Sequence, residues 1–200
     1  MKAVVFHEHG GLDVLKYEEV PEPAISENEV LIRVKACALN HLDIWVRRGI
    51  PGVDLPHICG SDAAGIVERV GRSVTHLKPE DRVVINPSLS CGRCEYCRMG
   101  EDSLCLEYKI LGEHTDGGYA EFCKAPAINC ERIPEDFSYE DAAAAPLVFL
   151  TAWRMLISRA RVKPGEDVLV LGAGGGVASA AIQIAKLCGA RVIATASTDE

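Results

Sequence analysis

The sequence predicts an α/β chain in two parts: a small, partly open β-barrel, then the opening β-α-β unit of a parallel sheet. Three observations carry this. Residues 1 to about 132 hold short apolar runs divided by turn signals such as His9-Gly10-Gly11, Pro21-Glu22-Pro23 and Gly71-Arg72-Ser73. After about residue 133 the pattern changes to alanine-rich helical stretches. An unbroken apolar run, a glycine-rich turn and a further helix then follow one another.

Element by element, strands are expected at 2–6, 14–20, 29–39, 65–70, 82–85 and 119–124. One short helix, 41–48, is stopped by Gly49 and Pro51. Beyond 133, Ser138 precedes the acidic, alanine-rich YEDAAAA and is placed to cap a helix. Pro146 breaks that helix and 147–160 makes another. The run 167–171 has no polar alternation after its first residue, as in a parallel strand buried on both faces. A helix over 176–188 is closed by Gly189, and 191–195 is the next strand.

Composition narrows the function classes. Of 200 residues 48% are hydrophobic, enough for a core. A net charge of −8 argues against nucleic acid, which needs a basic face. No apolar run approaches the ~20 residues of a membrane span, and the opening MKAVVFHEHG is too short in its apolar part for a signal peptide. A cytoplasmic location is expected. Nine cysteines, an odd number, speak against a disulfide framework and leave thiolates for metal.

Four of them form CGRCEYCRMGEDSLC, with the spacing C-x2-C-x2-C-x7-C. Cys91, Cys94, Cys97 and Cys105 on one tight loop can close a tetrahedron around Zn²⁺ with no open position, the mark of a structural site. Gly92 and Gly100 let the backbone bend, and Arg93 and Arg98 are placed to offset the thiolate charge. Such a zinc contributes on the order of 10 kcal/mol of local folding free energy. Free thiols and an iron–sulfur cluster are the alternatives; the latter lacks the proline that follows the last cysteine in bacterial ferredoxin runs.

The stretch LGAGGGVA follows a strand and opens a helix. Helix N-termini present unpaired N–H groups and a positive dipole end to a pyrophosphate. Gly172, Gly175, Gly176 and Val177 are the expected cofactor contacts, with Gly175 and Gly176 admitting the phosphates; Ala178, Ala180 and Ala181 keep the helix close to the sheet. A glycine turn without a ligand is the alternative. The next strand ends VIATASTDE, with Ala196 and Ser197 where NAD-binding folds place a carboxylate for the ribose 2′-hydroxyl. NADP(H) is therefore expected over NAD(H), although Asp199 and Glu200 lie just beyond.

Together the opening KAVVF, ALNHLDIWVRRG, AAGIVERVG, the cysteine lobe, GGYAEF, the LTAW helix and the glycine loop resemble the zinc-type medium-chain alcohol dehydrogenase/quinone reductase superfamily, along the whole chain. The resemblance implies a GroES-like N-terminal domain over 1–132, with a structural zinc lobe at 88–108, and the start of a Rossmann NAD(P)-binding domain over 133–200. It also implies a cytoplasmic homo-oligomer, dimer or tetramer, acting on a small molecule. The 67 residues after 133 hold two of the six strands of a Rossmann sheet, so the chain is expected to be partial and inactive alone.

The resemblance breaks at the catalytic zinc of the alcohol dehydrogenases. Asn40 stands where they have a cysteine, Gly60-Ser61-Asp62 replaces their GHE, and Leu147 falls near the later ligand. Leu42 takes the place of the proton-relay hydroxyl. This loss resembles the quinone and enone reductases, which transfer hydride without zinc; those usually lack the cysteine lobe, so one zinc per chain, the structural one, is expected here. A second zinc held by Cys37, His41, Cys59 and Asp62 is the alternative. By resemblance Thr151 lies near the nicotinamide and His41 contacts a cofactor phosphate. From their own chemistry, the Asn40 amide N–H is expected to bond a carbonyl or the cofactor ribose, His41 alternatively to deliver a proton, and Trp45 to shape the pocket. Asn40 and Thr151 as helix caps or packing residues, and His41 as a solvated surface group, are the plainer alternatives. The expected reaction is hydride transfer to an activated C=C of an enone, quinone or acryloyl-CoA-like thioester. A zinc alcohol dehydrogenase and a non-catalytic nucleotide-binding zinc protein are the rivals.

Overall fold

The structure is a computed structural model that describes residues 1–197. Asp199 and Glu200, which bear on the choice of nucleotide, lie outside the described residues. Contacts divide the chain into two compact units, Met1–Ala144 and Ala145–Glu200.

In the first unit β1 (Lys2–Val5) pairs antiparallel with β2 (Lys16–Glu19). The expected strand 14–20 is shorter because a 3₁₀ turn, Leu12–Val14, occupies its start and closes with Leu15 N–H on the Leu12 carbonyl. The main sheet is built on β3 (Glu29–Ala38), with α1 (His41–Arg48), β4 (Asp62–Val70) and β5 (Arg82–Ile85) following in sequence. Two short strands, β6 (Ser88–Leu89) and β7 (Lys109–Ile110), pair with each other and flank α2 (Glu95–Arg98). Then come β8 (Phe122–Pro126), β9 (Cys130–Arg132) and α3 (Tyr139–Ala143). The five-stranded sheet has the antiparallel order β8-β3-β4-β5-β9.

Alternation on β3, β4 and β5 buries Val30, Ile32, Val67, Val83 and Ile85 in one core. A second cluster of Phe6, Val14, Val46 and Cys59 seats α1. The helix runs as expected, with Asn40 as N-cap, Arg47 and Arg48 in its last turn, and Gly49 at φ 104° beyond it. β4 begins three residues earlier than the alternating pattern indicates. Asp62, Ala63 and Ala64 are poor strand formers, but they pair with Ala38, Cys37 and Ala36. That early start brings Asp62 beside the end of β3 and the beginning of α1. The expected strand 119–124 is also displaced: Tyr119 and Ala120 turn toward β1, and β8 starts at Phe122.

Ser138 caps α3 as expected, its Oγ accepting the Asp141 N–H at 3.0 Å. Ala142 and Ala143 are small enough to pack directly on Ala64. The helix therefore belongs to the first unit, and the division falls after Ala144 rather than at 132/133.

In the second unit Pro146 opens α4 (Pro146–Trp153) at its first turn. The expected helix 147–160 is not one regular element; Arg154–Ala160 winds on as a π-helix and ends at Arg161, φ 55°. β10 (Asp167–Val170), α5 (Gly176–Leu187) and β11 (Arg191–Ala194) form the β-α-β unit, with β10 and β11 parallel. Ala180, Ala181, Ile184 and Ala185 of α5 meet Ala152, Leu156 and Val170. Burial of the strand on both faces is not observed: Leu169 is 62% exposed, because the helices cover the opposite face.

Candidate functional site

Three places carry the chemistry expected of the sequence. In the lobe the Sγ atoms of Cys91, Cys94, Cys97 and Cys105 all lie within 4.8 Å of one another. Cys94 and Cys97 are 3.5 Å apart, Cys91 and Cys97 4.0 Å. Tetrahedral zinc with Zn–S near 2.3 Å needs S···S separations of about 3.8 Å, so the four sulfurs fit one ion. A multi-iron cluster would spread them farther apart.

Backbone N–H groups of Cys94 and Cys91 point at the sulfurs of Cys91 and Cys105, each at 3.3 Å. Glu107 N–H also reaches Cys105 Sγ at 3.3 Å. The N–H groups of Arg93 and Cys94 lower the Cys91 thiol, and those of Cys97 and Leu106 bring Cys94 down to about 6. Partial burial and the adjoining Cys94 sulfur push Cys97 up to about 12. Zinc binding would displace that proton. Gly92 (φ 67°) and Gly100 (φ 76°) supply the left-handed turns the loop needs. Arg93 departs from expectation in part: its first partner is Glu107, at 3.0 Å, and Cys91 comes second, through its charge and a side-chain hydrogen bond.

The second place is a cleft of about 630 Å³ in the first unit, lined in part by Asn40, His41, Asp43, Ile44, Cys59 and Tyr119. Asp43 organises it. Its Oδ2 accepts the Asn40 N–H and the Tyr119 O–H, both at 2.7 Å, and its Oδ1 accepts the Gly60 N–H at 3.3 Å. Burial, reinforced by the bond to Asp43, holds the Tyr119 phenol well above its ordinary range, so it remains a donor. Asn40 Nδ2 donates to Asp62 Oδ2 at 2.8 Å. Ser61 is fully buried, and its Oγ has no partner among the described residues.

His41 is exposed, with its ring edge-on to Trp45 at 4.9 Å. Trp45 does not line the cleft; Ile44 does. Burial keeps the Cys37 thiol far above its ordinary range and, with the charge of Asp43, raises Cys59 to about 12. Cys37, His41, Cys59 and Asp62 do not assemble: among the described residues only the four lobe cysteines form a group of three or more converging metal ligands.

The third place is the glycine loop of the second unit. Gly172 has φ 67°, and a Cβ there would meet nothing within 4 Å. Helix geometry leaves the first N–H groups of α5, those of Gly176, Val177 and Ala178, without intrahelical partners. These features fit a pyrophosphate. Gly176 differs from expectation, since a Cβ there would lie 3.0 Å from Val148 Cγ1; its lack of a side chain lets α5 approach α4. Val177 packs in the core, and Ser197 is exposed just past β11. Thr151 Oγ1 donates to the Leu147 carbonyl at 2.7 Å on α4. The sequence reading missed Thr195, whose Oγ1 and carbonyl accept the N–H groups of Gly172 (3.1 Å) and Ala173 (2.8 Å) and tie the loop to β11. A hydroxyl at a strand end was the only signal.

The comparisons agree with this layout. The alcohol dehydrogenase GroES-like domain family matches residues 26–135, more than half of the chain. An alcohol dehydrogenase of Geobacillus stearothermophilus is 42% identical over 190 residues, 93% of this chain and 56% of the relative. An acryloyl-coenzyme A reductase of Metallosphaera sedula is 36% identical over all of this chain and 60% of its own. A solved structure of an NAD-dependent alcohol dehydrogenase superposes with a TM-score of 0.96 at 54% identity, covering 100% of this chain and 59% of that one. The chain belongs to the zinc-type medium-chain alcohol dehydrogenase superfamily, and spans somewhat over half the length of these relatives. No helix among the described residues is long and apolar enough to cross a membrane.

Proposed function

We propose that this protein is an NADP(H)-preferring reductase that transfers hydride to an activated C=C of an enone, quinone or acryloyl-CoA-like thioester, with structural zinc only. One observation carries the reading. Where the alcohol dehydrogenases it resembles place two catalytic-zinc ligands, Asn40 and Ser61-Asp62 stand, and Asn40 is hydrogen-bonded to Asp62 at 2.8 Å. An amide donating to a carboxylate is a hydrogen-bonding device, not an open metal site. NADP(H), when bound, supplies the hydride. The loop opening α5 holds the pyrophosphate through the unpaired N–H groups of Gly176, Val177 and Ala178, with Gly172 and Gly175 shaping the approach, and Ser197 bonds the 2′-phosphate. Asn40 donates to the substrate carbonyl oxygen, stabilising the charge that develops there. His41 delivers a proton to the α-carbon, and Thr151 helps hold the nicotinamide ring. By family resemblance the enzyme is a cytoplasmic homodimer or homotetramer.

A second reading, a zinc alcohol dehydrogenase using NAD(H), is favoured by the name of the solved structure at 54% identity. Metal analysis and a substrate scan separate the two. The first expects one zinc per chain and faster oxidation of NADPH than NADH with enones, quinones or acyl-CoA thioesters. Two zincs and turnover only with alcohols or aldehydes would replace it with the second. Tight NADPH binding without any turnover would leave a non-catalytic nucleotide-binding protein.

A further inference from the structure

We infer that Asp62 is a positioning residue that acts through Asn40, and that the pair selects substrates carrying a carbonyl acceptor. This rests on the reductase reading and deepens it. Asp62 is 1% exposed at the first residue of β4, where the ladder pairs it with Ala38 at the last residue of β3. Asn40 follows two residues later as the N-cap of α1. Its backbone is fixed by Asp43 Oδ2 at 2.7 Å, and Asp43 is fixed in turn by Tyr119 and Gly60. Its side chain is fixed by Asp62 Oδ2 at 2.8 Å.

An asparagine amide held by a neutral partner can turn over, exchanging donor for acceptor. A carboxylate accepts only, so the turned amide would set oxygen against oxygen. Asp62 therefore fixes which end of the Asn40 amide is nitrogen and leaves the second Nδ2–H as a donor of set direction. Asn40 lines the cleft with Phe6, Leu12, Leu15, Leu39 and Ile44; of its polar neighbours there, Tyr119 O–H is given to Asp43 and Arg47 Nη1 to the Gly10 carbonyl. A fixed donor in a largely apolar cleft whose other polar groups are mostly paired favours a ligand with an acceptor and penalises an isostere without one.

The test uses the intact enzyme, with Asp62→Asn, Asp62→Ala, Asn40→Ala and the Asp62→Ala/Asn40→Ala double variant, and 2-cyclohexenone as probe. Zinc content and NADPH affinity report folding. Asp62→Asn, which keeps the shape but permits the amide to turn, is expected to lower kcat about tenfold with NADPH affinity unchanged. The double variant is expected to lose no more than Asn40→Ala alone. Additive losses, or an unchanged kcat in Asp62→Asn, would overturn the inference. A second measurement does not need turnover: the Asn40 side-chain amide NMR signals are expected to shift on adding 2-cyclohexenone to the wild type but not to Asp62→Asn. No shift in the wild type, or equal shifts in both, also overturns it. Absence of turnover with any enone, quinone or thioester alongside the expected shift would instead sink the reductase reading.

Discussion

The lobe and the barrel use the same side chain in opposite ways. In the lobe, backbone N–H groups aimed at sulfur lower Cys91 and bring Cys94 to about 6, and Cys97, at about 12, is the ligand whose proton a metal must displace. In the barrel, burial raises Cys59, Cys123 and Cys130 to about 12. The lobe has few apolar side chains to bury and needs its thiols as ligands; the barrel treats its thiols as small hydrophobic fillers. A cysteine count therefore says little until spacing separates the four clustered residues from the five scattered ones.

Removing zinc is the largest test of that contrast. Chelation is expected to take the metal from one per chain to none and to abolish hydrogen-exchange protection across 88–108. The five-stranded sheet, whose core holds no ligand, is expected to keep its protection. Protection of the lobe surviving without metal would break the comparison, since the lobe would then fold on its own packing.

Alkaline pH tests the other side. A thiol raised by burial to about 12, from an ordinary 9.0, favours the fold while neutral. Its contribution is complete below pH 9 and is lost as pH rises from 9 through 12. Each such thiol costs about 1.4 kcal/mol per pH unit across that window. Urea midpoints at pH 8 and pH 10.5 are expected to fall more steeply in the wild type than in a Cys123→Ala/Cys130→Ala variant. Equal slopes would mean that these thiols are not held neutral by burial.

How much of this was legible depends on how local each feature is. The zinc ligands fall within fifteen residues, and the glycine loop within one strand–turn–helix, so spacing alone located both. The strands β6, β7 and β9 have two or three residues each and exist only through their partners, which no local pattern records. Asp62 was visible as a replaced ligand but not as the partner of Asn40, because it lies 22 positions further on and the β3–β4 register closes that gap. The composition shift at 133 misplaced α3, since its alanines signal a helix but not which neighbour they approach. Gly176 shows the same gap: a glycine in a phosphate-loop pattern faces Val148 of α4.

The smallest expected effect sharpens the account of the lobe. Arg93 lies beside the thiolates in sequence, yet its guanidinium is 74% exposed and pairs first with Glu107, itself 57% exposed. Exposed ion pairs are screened by water and contribute little. The N–H groups that lower Cys91 and Cys94 belong to the backbone and survive any side-chain change. Arg93→Ala is therefore expected to change zinc affinity, measured by competition with a chromophoric chelator, by no more than about threefold. A loss of a hundredfold or more would mean that side-chain charge, rather than the path of the backbone around the sulfurs, holds the thiolates in place.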